Sequence, residues 1–133
     1  MTRVTGIGGI FIKAKDPDAL REWYRLHLGL GSKEWGGMIF QWHTPEQPNL
    51  DGTTTWSIFP STSNYFDPST APFMVNYRVE NLDALLEVLR AEGCDVDSNS
   101  NKQESEYGKF GWVMDPEGNR IELWEPPFRS NPE

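Results

Sequence analysis

What this sequence has little of narrows its chemistry first. A single cysteine, Cys94, cannot close a disulfide within the chain and has no second thiol with which to hold a metal; beside a helix it reads as a buried or half-buried small hydrophobe. Only two histidines, His27 and His43, are present. Basic residues number 12 against 20 acidic ones, a formal charge of −8 that repels polyanions and offers no patch for a phosphate backbone. Nucleic acid is excluded as the expected partner. No apolar run approaches the roughly 18 residues a membrane span needs, and the N-terminal stretch MTRVTGIGGIFIKAK is too briefly apolar for a signal peptide. The expectation is one domain without a membrane partner, in the reducing cytoplasm.

Aromatic residues are the opposite case. Six Trp, seven Phe and four Tyr in 133 residues supply large buried areas, enough for a core and for the walls of a pocket. Residues 5–14 alternate as a half-buried strand, and Asp16 followed by Pro17 is a helix start. Ala19, Leu20, Trp23, Tyr24 and Leu28 then recur at helical spacing until Gly29. A weak segment near 30–35, a strand over 38–43 and another over 55–59 complete a first unit. Residues 61–71, rich in Pro, Ser and Thr without periodicity, read as a connector, with Tyr65 and Phe66 in a surface loop rather than a lid. The pattern then restarts with a strand at 73–79, a helix at 82–91, a weak strand at 95–101 and a hairpin of 109–114 and 120–124.

The restart is a repeat. KDPDAL at 15–20 matches ENLDAL at 80–85, and WSIF at 56–59 matches IELW at 121–124, both at an offset of 65. An α+β fold of two tandem βαβββ modules follows, with module one at 5–60 and module two at 72–127 of a single domain spanning 1–133. Each helix covers one face of its sheet, so the opposite faces together form a cup. Strand alternation assigns that face Gly9, Phe11 and Lys13; Thr55, Ser57 and Phe59; Met74, Asn76 and Arg78; and Arg120, Glu122 and Trp124. Trp23 and Trp56 read as core, while Trp35, Trp42 and Trp112 stay unassigned.

The repeated βαβββ pattern ending in DPEGNRIELWEP, residues 115–126, resembles the vicinal oxygen chelate superfamily over nearly the whole chain. That group includes glyoxalase I, bleomycin- and fosfomycin-resistance proteins, extradiol dioxygenases and methylmalonyl-CoA epimerase. The resemblance implies curved mixed sheets around a cup and a homodimer. In metal-dependent members it implies a divalent ion held at four strand positions, which fall here on Gly9, Ser57, Met74 and Glu122. Of these only Glu122 is a good ligand: glycine brings no side chain, a thioether suits a hard or borderline dication poorly, and a lone hydroxyl adds little. His27, at a helix end, reads as dipole-favoured and half exposed, and one further histidine, His43 at the cup rim, does not complete a site.

Two functions follow. The first is a metal-independent binder, similar to the bleomycin-resistance type, with no cofactor, holding an apolar or aromatic small molecule among Phe11, Ser57, Phe59, Met74, Asn76, Arg78, Arg120 and Trp124. The alternative is an enzyme similar to glyoxalase I, a lyase, isomerase or dioxygenase using a divalent metal, with Glu122 as ligand or catalytic base. A carboxylate beside Trp124 and Phe59 is desolvated enough for proton transfer, and Arg78 and Arg120 stand ready to pair with it or with an acidic ligand.

Overall fold

A computed structural model describes residues 2–31, 37–101 and 105–127. Trp35 and most of the weak 30–35 segment lie outside them. The first half runs β1 (Val4–Ala14), α1 (Pro17–Leu28), β2 (Met38–Gln41) and β3 (Thr53–Pro60). The second runs β4 (Phe73–Val79), α2 (Leu82–Ala91), β5 (Asp95–Val96), β6 (Lys109–Met114) and β7 (Arg120–Glu125). One curved mixed sheet holds all seven strands in the order β2-β3-β1-β4-β7-β6-β5, because β1 and β4 pair antiparallel at its centre. This is the α+β architecture the pattern implies.

The repeat is visible in the register. Ile10, Phe11, Ile12 and Lys13 of β1 lie parallel to Trp56, Ser57, Ile58 and Phe59 of β3. Val75, Asn76, Tyr77 and Arg78 of β4 lie in the same way against Ile121, Glu122, Leu123 and Trp124 of β7, each residue 65 positions after its counterpart. The helix starts match too: the Asp16 side chain accepts from the Ala19 amide and the Asn81 side chain from the Ala84 amide, each at 3.1 Å. A cap of this kind contributes about 1 kcal/mol. Gly29, at φ 71°, ends α1 in a left-handed turn that a β-carbon would strain.

Both helices cover the same side of the sheet. Leu82, Leu85 and Leu86 of α2 bury themselves against Val79 and Leu123, while Leu20 and Tyr24 of α1 pack on Ala14, Trp56 and Ile58. Three expectations fail here. Trp23 is 51% exposed, since the stripe that meets the sheet runs through Leu20 and Tyr24 and leaves Trp23 edge-on to Tyr24 and beside His27. Cys94 is exposed, because α2 has already turned away from the sheet at Glu92 and Gly93. The strand expected over 95–101 is only two residues long, since Asp97 and Ser100 turn the chain back with their own hydrogen bonds.

Candidate functional site

On the face opposite the helices, the central strands carry a defect. Gly8 is an extra residue between the pairs Ile7–Tyr77 and Gly9–Asn76, a bulge that turns two glycines toward one side. A β-carbon on Gly8 would collide with the Asn76 amide and the Trp124 ring, and one on Gly9 would come within 2.8 Å of Phe11. The absent side chains are therefore room for their neighbours. Asn76 fills that room and lies directly across from Glu122 on β7.

Glu122 is 2% exposed and is met by hydrogen-bond donors from three elements. Asn76 Nδ2 donates to Oε1 at 2.7 Å. Trp112 Nε1, from the opposite register position on β6, donates to Oε2 at 2.9 Å. The Tyr65 hydroxyl, reaching down from the 61–71 connector, donates to the same oxygen. Burial and the neighbouring carboxylate push the Tyr65 phenol well above its ordinary range, so it stays a donor. Asn76 Oδ1 faces the bulge and meets no donor.

The connector is exposed over most of its length, as a surface loop is, yet it is anchored to the sheet through Tyr65 and Phe66. Phe66 is fully buried, its ring against Phe59 at 5.3 Å with the Lys13 ammonium 5.0 Å away, and Tyr65 stacks on Phe59 at 5.7 Å. Phe11 leans on Phe59 at 5.6 Å, and Met74, opposite Phe11, is buried. Ser57, half-buried, also sits opposite Phe11 rather than on the Glu122 rung. One end of the expected cup is therefore filled by the chain's own aromatics. Of the two roles open to the arginines, neither takes the pairing with Glu122: Arg120 is held by Asp97 at 2.8 Å with its guanidinium over Trp112, and Arg78 donates to the Asp51 carbonyl. Asp97 has its acidity raised by that guanidinium and by the Asn99 amide. The groups that hydrogen-bond Glu122 are Asn76, Trp112 and Tyr65.

As arranged, these residues do not fit a divalent cation. Both oxygens of Glu122 are already taken by N–H and O–H donors from Asn76, Trp112 and Tyr65, an indole has no lone pair to offer in return, and the first ligand position, Gly9, has its side-chain space occupied by Phe11. Among the described residues no three His, Cys, Asp or Glu side chains converge. His43 is exposed beyond the end of β2.

One rung along from Asn76 and Glu122, Arg78 lies opposite Trp124, and there the face stays open. A cleft of about 720 Å³ is lined by both, by Trp42, Gln41 and Thr53, and by Glu80, Glu125, Pro126 and Pro127 at its rim. Sequence reasoning found Arg78 and Trp124 by alternation. It did not bring Tyr65 to Glu122, since that residue sits in a connector without periodicity, nor Trp112, although the alternation of β6 with Glu122's strand carried that signal.

The sheet, its repeat and its single concave face define the glyoxalase/bleomycin-resistance fold. Solved structures agree. Methylmalonyl-CoA epimerase from Mycobacterium tuberculosis superposes with a TM-score of 0.61 at 21% identity, covering 96% of this chain and 92% of its own. A Streptomyces coelicolor methylmalonyl-CoA epimerase variant in complex with 2-nitronate-propionyl-CoA gives 0.67 at 18% identity, covering 94% and 99%. The NAD-dependent benzaldehyde dehydrogenase structure from Legionella pneumophila gives 0.56 at 10%, covering 90% and 98%. No family model and no curated protein matches the sequence. At these identities the likeness carries the fold alone.

Proposed function

We propose that the protein is a metal-independent small-molecule binder that holds an apolar or aromatic ligand in the cleft beside Glu122. The observation that carries this reading is the contrast along one sheet face: at Glu122 the chain supplies its own hydrogen-bond donors, and one rung away it leaves an open, tryptophan-walled space. Aromatic walls hold planar or apolar bodies by area and ring contact without an ion. The ligand-bound Streptomyces neighbour shows that a small molecule can be accommodated on this fold.

Glu122 in this reading is a structural residue. It fixes Asn76, Trp112 and the connector, one rung along the strands from the pair Arg78 and Trp124 that lines the cleft. Elemental analysis of protein purified without chelator is expected to find metal far below one equivalent, and millimolar Mn²⁺ or Zn²⁺ is expected to leave the melting temperature unchanged, since any ion bound by the folded state alone would raise it. A stoichiometric ion lost on substitution of Glu122 would overturn the reading in favour of a metal enzyme. We also propose a cytoplasmic homodimer, for which light scattering should give twice the 15.2 kDa chain mass.

A further inference from the structure

We propose that the cleft selects a small planar organic acid, its ring against the indoles of Trp42 and Trp124 and its carboxylate on Arg78; this rests on the binding reading above. Arg78 is half-buried on the cleft wall, with Nη1 donating to the Asp51 carbonyl at 3.0 Å and the guanidinium 5.4 Å from the centre of the Trp42 ring. Among the described residues no carboxylate pairs with it. Among the described residues no acceptor meets Nε or Nη2, and neither is sealed from water. Arg120 on the same face is the contrast, already paired with Asp97. A guanidinium anchored at one corner, with donors left toward an open space, suits a carboxylate.

The walls are built as firmly. Trp42 Nε1 donates to Thr54 Oγ1 at 2.8 Å, and that hydroxyl donates to the Ile7 carbonyl at 2.6 Å. The Trp42 ring lies over Gly6 and Gly52, where any β-carbon would strike it. Trp124 donates its indole N–H to the Tyr107 carbonyl at 2.7 Å and stacks on Phe110. Both indole donors are therefore engaged by protein, and what each ring offers a ligand is carbon surface. A flat hydrocarbon body with one negative end matches that combination.

Acidic groups bound the choice. Asp51, Glu80 and Glu125 also line the cleft, Glu125 turned to cap the first amide of α2, with Oε1 accepting from Leu82 at 2.8 Å. They disfavour a highly charged ligand, which limits the class to a monoanion. The selectivity belongs to Arg78.

Isothermal titration with 2-naphthoate and its neutral isostere 2-naphthamide tests the assignment on the intact protein. The acid is expected to bind at least about tenfold more tightly, the scale of a charge-assisted hydrogen bond. Arg78→Gln is expected to bring the acid to the level of the amide while leaving amide affinity within about twofold, and Arg78→Lys to restore part of the preference. Equal affinities in the unaltered protein would overturn the assignment of Arg78 alone. Binding of neither compound would overturn the binding reading, and this inference with it.

Discussion

At the scale of single residues, Tyr65 joins the connector to the sheet by one hydroxyl. Replacing it with Phe leaves Trp112 still donating to the same Glu122 oxygen, so the loss near neutral pH is expected to be about 1–2 kcal/mol by urea denaturation. The pH dependence is more telling. Burial and the Glu122 charge raise the folded-state phenol above its ordinary 10.0. In the unfolded chain it ionises near that ordinary value, so its contribution is fully present below about pH 10 and is lost as pH rises beyond it. The stability difference between the native protein and Tyr65→Phe should therefore be constant below pH 10 and narrow above it. A difference that grew with alkali would show that Tyr65 ionises more readily in the fold than out of it.

At the scale of elements, the strands were legible because each half-buried strand alternates and the helices carry local start signals in Asp16–Pro17 and Asn81. The connector was not, because nothing local distinguishes a loop lying on water from one lying on Phe59. Its only hint was composition: Tyr65 and Phe66 are the two aromatics in an otherwise polar stretch. Phe66 is the residue that fixes the connector's position, with no solvent exposure at all. Phe66→Ala should cost about 3–5 kcal/mol, the range for truncating a buried Phe, and the cost should appear as faster amide exchange across 61–71 and at Trp112 Nε1. A loss below 1 kcal/mol would mean that the connector docks through Tyr65 alone. The cleft itself was half legible: Arg78 and Trp124 follow from alternation, while Trp42 enters it only because the turn after β2 folds over Gly6.

At the scale of the whole molecule, duplication places like positions in like surroundings, and the sequence differences then do the rest. Phe11 and Ser57 in the first half stand where Asn76 and Glu122 stand in the second, so the polar centre falls on one side of the β1–β4 seam. That asymmetry was readable from the offset of 65; the closing of one end by the connector was a tertiary event and was not. The net charge of −8 acts over the entire surface. At low ionic strength, where the screening length is roughly 30 Å, an approaching organic anion meets the field of the whole protein and is repelled. At about 0.15 M that length is roughly 8 Å, and the anion meets chiefly Arg78 and the rim acids. Raising NaCl from about 10 mM to about 150 mM should therefore increase the stopped-flow association rate of 2-naphthoate several-fold, with little change in the rate for 2-naphthamide. Dissociation of the acid should change less, since its contact with Arg78 lies in a half-buried cleft. An association rate for the acid that fell with salt would mean that the local field of Arg78 outweighs the charge of the protein, and that the rim carboxylates have less hold on ligand entry than their positions suggest.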